Sequence, residues 1–155
     1  MFYKRQIGWV LGVLLSMVTS ISAQSSDIVS YTVEAPKTVC IDKEFTVTTV
    51  FNIQPGWYVY APIPINAAQG KIGTKVSFKV PVGIKKIGGL ELPDKDRFFD
   101  TYSGKDVQMP QKFKVAKNTA TGSYTITGHI LYQTCNDIIC YPPVREKVAI
   151  PIIIQ

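Results

Sequence analysis

The sequence predicts an all-β fold, a β-sandwich, for the chain that follows its N-terminal segment. Three observations support this prediction: short segments rich in Val, Ile, Thr, Tyr and Phe recur along the chain, Gly and Pro separate them, and no segment shows convincing helical periodicity. The predicted strands cover residues 28–35, 44–53, 57–61, 74–80, 112–116, 122–133 and 144–154. The breaks between strands fall at residues 54–56, 62–64, 88–89, 103–104 and 142–143.

Alternation along these strands predicts which side chains form the core. In the strand at 44–53, the more apolar face carries Phe45, Val47, Thr49 and Phe51. In the strand at 122–133, the predicted core face carries Tyr124, Ile126, Gly128, Ile130 and Tyr132. The last strand ends in an apolar run, and Pro151 within it favours an edge position because proline has no N–H to donate to a neighbouring strand.

The N-terminal segment has the pattern of a secretory signal peptide. Lys4 and Arg5 precede an apolar stretch at residues 7–22, and the small residues at its end fit a signal-peptidase site. Gly and Ser interrupt the stretch, and it is shorter than the ~20 apolar residues of a membrane span, which disfavours an uncleaved anchor. We therefore predict a signal peptide at residues 1–23 and one soluble, exported domain at residues 24–155, with no transmembrane segment after cleavage.

Charge and residue counts narrow the possible chemistry. The formal net charge is +6, but the basic residues come singly or in pairs such as Lys85-Lys86, which is weak support for nucleic-acid binding. The chain has one histidine, His129, so the sequence predicts neither a histidine-based metal site nor a Cys–His nucleophile pair. Gly88-Gly89 lacks the Gly-Lys-Ser/Thr pattern of a phosphate-binding loop. We predict no nucleic-acid partner, no metal and no cofactor.

Two of the three cysteines lie close together near the C-terminus. Cys135 and Cys140 flank Asn136-Asp137, a pair of turn-forming residues between two predicted strands, so we expect a hairpin with one cysteine on each side. This arrangement can bring the two α-carbons within the ~4.4–6.8 Å that a disulfide requires. Alternation continued from the preceding strand places Cys135 on the more polar face, at an accessible strand end.

The spacing alone leaves two roles open for this pair. A disulfide across so short a loop constrains the unfolded chain by only ~2 kcal/mol in the loop-entropy model, whereas a bridge from Cys40 to Cys135 would contribute ~4.7 kcal/mol. This comparison favours a bridge that opens and closes over a purely structural one. Small exported domains do carry structural hairpin bridges, so both alternatives remain.

One segment, residues 132–143 with its cysteine pair and Pro-Pro tail, resembles the active-site hairpin of a known family. The family comprises the N-terminal periplasmic domains of the thiol:disulfide interchange protein DsbD, also called disulfide bond corrector proteins after DsbC. Residues 56–60 are similar to the family's glycine-aromatic strand, and residues 94–104 are similar to its aromatic cap loop. The likeness covers most of residues 28–155. It implies an immunoglobulin-like sandwich in the periplasm that relays reducing equivalents between proteins.

The resemblance also implies roles for individual residues. Cys140 would form a mixed disulfide with a partner and Cys135 would resolve it, each step being the attack of a thiolate on a disulfide sulfur. Phe98 or Phe99 would shield the pair until a partner displaces the loop, and Asp96 would tune a thiol. The implied partners are a thioredoxin-like protein or domain as electron donor, and a periplasmic disulfide isomerase or cytochrome c maturation thiol protein as acceptor.

Several residues keep more than one interpretation. Tyr58 and Tyr60 share a strand face, where they either line the cysteine pocket or pack as ordinary core. The two phenylalanines within residues 94–104 are either the cap or core side chains. Cys40 lies beside apolar residues and is predicted to be a buried free thiol rather than a catalytic one. His129 is predicted to lie on the surface, ~20 Å from the cysteine pair along the strand.

Two classes of function follow. The first is a redox domain that relays reducing equivalents through Cys135 and Cys140. The alternative is a non-catalytic β-sandwich module, for binding or for an envelope complex, with a structural disulfide. Whether the domain is an enzyme, as a protein-disulfide reductase, stays open. Whole proteins of the resembled family continue into a membrane domain and a thioredoxin-like domain, whereas this sequence ends at Gln155, so we expect the donor to be a separate polypeptide or the relay role to be lost.

Overall fold

The computed structural model describes residues 28–94 and 100–155. In this part of the chain, eleven β-strands accompany one five-residue helix. The elements are β1 (Val29–Glu34), β2 (Thr38–Val39), β3 (Glu44–Ile53), β4 (Tyr58–Tyr60), α1 (Pro64–Ala68), β5 (Lys75–Lys79), β6 (Ile84–Ile87), β7 (Thr101–Ser103), β8 (Val107–Val115), β9 (Gly122–Tyr132), β10 (Thr134–Cys135) and β11 (Val144–Ile154). The predicted all-β fold is confirmed, whereas the predicted signal peptide at residues 1–23 lies outside the described residues.

Two four-stranded sheets build the body of the fold. The first has the strand order β1-β3-β8-β6, and the second has the order β2-β11-β9-β5. Neighbouring strands pair antiparallel, except that β2 runs parallel to β11. A third sheet is smaller, has the order β10-β4-β7, and carries Cys135. The cysteine pair therefore lies on a separate platform at the margin of the two large sheets.

The two large sheets face each other across one hydrophobic core. The ring of Phe51 on β3 meets that of Tyr132 on β9 edge-on, with centroids 5.8 Å apart. Phe78 on β5 meets Phe113 on β8 in the same manner at 5.6 Å. The predicted core face of β3 is buried, and so is that of β9 except for the half-buried Tyr124. Alternate residues of both sheets thus interdigitate, which confirms the predicted immunoglobulin-like sandwich.

Each predicted strand is present, and β3 and β11 have the predicted bounds. The sequence pattern does not predict the short strands β2, β6, β7 and β10, because two to four residues are too few to show periodicity and their conformation depends on tertiary pairing. β8 begins at Val107, earlier than the predicted start at residue 112, because Pro110 interrupts the pattern without ending the strand. β6 pairs only with residues of β8 beyond Pro110, so the proline has a strand neighbour on one side alone.

Pro151 has a similar position and matches the predicted edge location. β9 accompanies β11 over its whole length, but β2 pairs only with Ile153 and Ile154 on the other side. Pro151 therefore has no strand neighbour on that side, and the missing N–H removes no ladder bond.

Helix α1 corrects the prediction that no helix is present. It begins at Pro64, inside a predicted break, because the fixed φ of proline suits the first turn of a helix. The buried Asn66 amide within it donates to the carbonyl oxygens of Ala61 (3.0 Å) and Asp100 (3.1 Å), so the helix joins the end of β4 to the start of β7. No helix in residues 28–94 and 100–155 is long and apolar enough to cross a membrane.

Candidate functional site

The cysteine pair closes the tip of a tight hairpin. Cys135 and Cys140 form a disulfide with a Cα–Cα distance of 4.1 Å. On either side of it, the Asn136 N–H donates to the Ile139 carbonyl and the Tyr141 N–H donates to the Thr134 carbonyl, both at 2.9 Å. The structure therefore has the hairpin, with one cysteine on each side, that the Asn-Asp turn predicts.

The side chain of Asn136 closes the hairpin tip a second time. Its Oδ1 accepts the backbone N–H groups of Ile138 (2.9 Å) and Ile139 (2.8 Å). Such an Asx-type arrangement satisfies tip donors that would otherwise bond only to water. The turn is thus held by non-covalent bonds that do not depend on the disulfide.

The exposure of Cys135 differs from the sequence prediction. We expected it at an accessible strand end, but it is fully buried, and Cys140 is the exposed member of the pair. The reason is a break at Gln133, where β9 ends and the chain leaves its sheet to pair with β4 instead. The period-2 alternation does not continue across that break, and both Thr134 and Cys135 become buried.

Strand β4 forms the floor beside Cys135. Cys135 pairs with Tyr58, which in turn pairs with Ser103 of β7. The Tyr58 hydroxyl donates to the Asn136 carbonyl at 3.1 Å, and its ring meets the Tyr60 ring edge-on at 5.6 Å. Burial, followed by the hydrogen bond with the Tyr60 side chain, raises the pKa of Tyr58 to about 12, so its hydroxyl remains protonated and able to donate at neutral pH.

Aromatic side chains also brace the outgoing arm of the hairpin. The Trp57 and Tyr141 rings stack with centroids 5.4 Å apart, and the Gln133 amide donates to the Tyr141 carbonyl at 3.1 Å. Sequence reasoning missed this contact, although Trp57 and Tyr141 both belong to segments that carry the family resemblance. At the tip, Ile138 is 88% exposed and Ile139 is 47% exposed. The exposed residue Cys140 therefore follows an apolar, solvent-facing tip.

The proposed cap residues Asp96, Phe98 and Phe99 lie outside the described residues. The structure describes the segment that follows them. The Asp100 carbonyl accepts a hydrogen bond from the Ala61 N–H at 2.9 Å, and β7 then pairs with β4. Tyr102 of β7, which belongs to the same aromatic segment, is buried in the core. The chain that follows residue 99 is therefore anchored in the same sheet as Cys135, with β4 between β7 and β10.

Cys40 is exposed, in contrast to the buried thiol that its apolar neighbours predict. Val39 at the end of β2 is the residue that points inward, where it pairs with Ile154, so Cys40 faces the opposite way at the start of a turn. That turn continues through Asp42, which has a positive φ of 62°. Cys40 is free and takes no part in the disulfide.

His129 lies exposed on β9, as predicted. Within residues 28–94 and 100–155, no cluster of three or more His, Cys, Asp or Glu side chains is arranged to hold a metal ion.

The solved structures that are similar to this chain include three at low sequence identity. They are the reduced N-terminal domain of DsbD from Neisseria meningitidis (19% identity, 87% of this chain and 96% of that chain, TM-score 0.30), the N-terminal periplasmic domain of ScsB from Proteus mirabilis (13%, 85% and 49%, 0.49) and the GAE domain of GGA2p from Saccharomyces cerevisiae (8%, 82% and 91%, 0.46). The chain thus spans about half the length of the ScsB structure. A search of curated proteins found no match.

A family model gives the more specific result. The model of the N-terminal domain of the thiol:disulfide interchange protein DsbD matches residues 26–151, which is most of the chain and includes the whole cysteine hairpin. The match agrees with the resemblance of the hairpin segment and with the all-β fold. The chain therefore belongs to the family of N-terminal domains of the thiol:disulfide interchange protein DsbD.

Proposed function

We propose that this domain relays reducing equivalents between thiol proteins through the Cys135–Cys140 pair. The observation that carries the proposal is the unequal exposure of the two cysteines, one fully buried and one open to solvent. Cys140 is accessible to a partner from outside, whereas Cys135 is buried. This asymmetry supports one order of reaction, and membership of a thiol:disulfide interchange family supports the chemistry.

Reduction of the domain begins at Cys140. A thiolate of the electron donor attacks the Cys140 sulfur, a donor–Cys140 bond forms, and the Cys135–Cys140 bond breaks. Cys135 leaves as a thiolate and takes up a proton. A second thiolate of the donor then attacks the donor sulfur of the mixed disulfide and releases Cys140 as a thiolate, which takes up the second proton. The donor becomes a disulfide, and the domain has gained two electrons and two protons.

Oxidation of the domain reverses these roles. The Cys140 thiolate attacks a disulfide of the acceptor, which releases one acceptor thiolate and leaves the other acceptor sulfur bonded to Cys140. Cys135 then loses its proton, attacks the Cys140 sulfur and releases the second acceptor thiolate. The Cys135–Cys140 bond forms again, and the acceptor has received the two electrons.

The surrounding residues keep Cys140 presented in both redox states. The Tyr58 hydroxyl, the Asn136 amide oxygen and the Trp57–Tyr141 stack hold the hairpin by contacts that reduction does not remove. Tyr58 and Tyr60 therefore form the floor of the cysteine pocket in this proposal.

The family supplies the remaining parts of the proposal. The donor is a thioredoxin-like protein or domain, and the acceptor is a periplasmic disulfide isomerase or a cytochrome c maturation thiol protein. Residues 1–23 are removed on export, and residues 24–155 work in the periplasm. Phe98 or Phe99 shields the sulfurs until a partner docks, and Asp96 tunes a thiol.

Trapping of mixed disulfides tests the proposal. In a Cys40→Ser background, which removes the exposed third thiol, reduced Cys135→Ser should accumulate a mixed disulfide with an oxidised thioredoxin-fold acceptor, because the Cys140 thiolate attacks the acceptor disulfide and Cys135 is absent to resolve the adduct. The matched variant Cys140→Ser should form none. Equal trapping by both variants would contradict the assigned order. Absence of exchange by the unsubstituted pair would leave the disulfide as a structural bridge in a binding module.

A further inference from the structure

The outer face of the sheet β2-β11-β9-β5 carries a concentration of positive charge. Strand pairing places Lys75, Leu131 and Arg145 side by side in one row, and Ser77, His129 and Lys147 in the next. The three basic side chains in these rows are exposed. A shallow groove runs along both rows, and an adjoining depression shares Lys75, Leu131 and Arg145 with it and adds Lys71. We call Lys71, Lys75, Arg145 and Lys147 the basic face.

This charge is not neutralised locally. No described acidic side chain forms an ion pair with Lys75, Arg145 or Lys147 in residues 28–94 and 100–155. By contrast, two lysines of β8 are paired, Lys112 with Glu91 and Lys114 with Asp42, both at 3.1 Å.

One acidic residue, Glu146, does border the groove. Its carboxylate accepts a hydrogen bond from the Tyr31 hydroxyl of β1 and does not reach across to the basic side chains. The basic face is therefore a solvated surface with a net positive potential, of the kind that attracts an acidic partner.

The basic face adjoins the redox site through two routes. Along the chain, Arg145 is five positions after Cys140, which limits the separation of their α-carbons to about 18 Å. Through space, the Lys71 ammonium lies 4.8 Å from the centre of the Tyr60 ring, and that ring contacts Tyr58 beside Cys135. A standard protein interface covers about 800 Å² per partner, a disc of about 16 Å radius. Even at the limit of about 18 Å, the Arg145 α-carbon lies only about 2 Å outside such a disc centred on Cys140, a gap that the Arg145 side chain can span.

We propose that the basic face docks the redox partner, and that this partner has an acidic surface next to its reactive cysteine. This inference rests on the proposed function and adds the charge of the partner to it. Complementary charge mainly raises the rate of encounter, so the attraction should be seen in the exchange rate and should be screened by salt.

Peptide thiols of matched length provide a direct test on the Cys40→Ser protein. One peptide carries a cysteine, a Gly-Ser spacer of about five residues that can span ~18 Å, and a run of glutamates. The second has glutamine in place of glutamate. In the reaction, the peptide thiolate attacks Cys140, the peptide–Cys140 bond forms, and Cys135 leaves as a thiolate that alkylation then detects. We expect the acidic peptide to react about tenfold faster at ~10 mM salt and at the same rate as the neutral one at ~1 M salt.

Charge-reversal variants locate the effect. Lys75→Glu/Arg145→Glu should abolish the advantage of the acidic peptide and leave the rate of the neutral peptide unchanged. The matched control is Lys85→Glu/Lys86→Glu, which makes the same change in net charge at exposed positions on β6 of the other large sheet. An equal loss in the control variant would assign the effect to net charge and overturn the basic face as a docking site.

The two proposals fail in different ways. If the neutral peptide does not open the bridge at all, the proposed function fails. If it does, and the acidic peptide is no faster at low salt, only the docking inference is overturned. A membrane surface is the competing partner, and binding to anionic phospholipid vesicles tests it. If the vesicles bind the protein but not Lys75→Glu/Arg145→Glu, and the acidic peptide has no advantage, the basic face would be assigned to a membrane surface instead.

Discussion

At the scale of single residues, the environments of the two sulfurs differ enough to separate their reactivity. Cys135 is fully buried beside Tyr58, and Cys140 is exposed. In the reduced protein we expect iodoacetamide to alkylate Cys140 at least about tenfold faster than Cys135, because reaction needs an accessible thiolate. Mass mapping over time in a Cys40→Ser background measures both rates.

Denaturant provides the control for this comparison. In the unfolded chain both thiols are accessible, so the two rates should become similar. Similar rates in the native protein would mean that the hairpin opens faster than the reagent reacts, and the order of attack assigned to Cys140 would lose its basis.

Tyr58 gives a second prediction at this scale. Burial and the Tyr60 hydrogen bond raise its pKa from 10.0 to about 12. We expect Tyr58→Phe to lower the free energy of unfolding by about 1 kcal/mol at neutral pH, because the bond to the Asn136 carbonyl is lost. Since the folded pKa lies above the unfolded one, this stabilisation is complete below about pH 10 and is lost as the pH rises towards 12.

Denaturant unfolding at about pH 7, 9 and 11 checks that prediction. The difference in free energy of unfolding between the unsubstituted protein and Tyr58→Phe should be the same at about pH 7 and 9, and smaller at about pH 11. Tyr124→Phe is the control, since its hydroxyl also donates to a backbone carbonyl, that of Ala120 at 2.8 Å, away from the hairpin. A difference that stays constant to pH 11 would contradict the raised pKa of Tyr58.

Residue burial was predictable from the sequence inside long strands and not at their ends. The core faces of β3 and β9 follow from alternation, since each strand keeps one register over its length. Alternation misplaces Cys135, and the apolar neighbours of Cys40 wrongly predict that it is buried. Each lies beside a strand end, where the chain turns and the period-2 rule no longer holds.

At the scale of elements, the sequence predicts the strands that carry their own periodicity. β3 has 10 residues, and β9 and β11 have 11 each. Their bounds lie within one residue of the predicted ones, because the alternation in each strand is long enough to be recognised. The sheet β10-β4-β7 could not be predicted, since its strands have two or three residues each and exist through pairing between distant segments. The platform of the site is therefore the part of the fold that depends most on tertiary contacts.

Gly128 shows how packing between strands limits substitution within β9. A Cβ at this position would lie 2.6 Å from Val148 Cγ2 and 3.3 Å from Phe78 Cε1. We expect Gly128→Ala to destabilise the fold by about 1–3 kcal/mol, because the packed side chains of Val148 and Phe78 must move to admit the methyl group. Gly89→Ala, where a Cβ would meet nothing within 4 Å, is the matched control and should be close to neutral. Equal denaturation midpoints for the two variants would contradict this account of β9.

At the scale of the whole molecule, the redox state of the hairpin is separated from the stability of the fold. The sandwich core lies between the two large sheets, and the disulfide lies on the third. Asn136, Tyr58 and the Trp57–Tyr141 stack retain the hairpin without the bridge. Closing so short a loop contributes only about 2 kcal/mol, against the 5–15 kcal/mol that is typical of a domain. We therefore expect the domain to remain folded when the disulfide is reduced.

The reduction potential of the Cys135–Cys140 pair tests that separation for the molecule as a whole. We expect a value above about −300 mV, because the exposed sulfur is open to attack and the fold gains little from the bridge. Thiol redox buffers with mass mapping measure the potential, and circular dichroism of the reduced form should show the same β-structure as the oxidised form. A potential below about −300 mV, together with loss of structure on reduction, would instead identify a structural bridge, because the stability that folding gains from a disulfide appears as resistance of that disulfide to reduction.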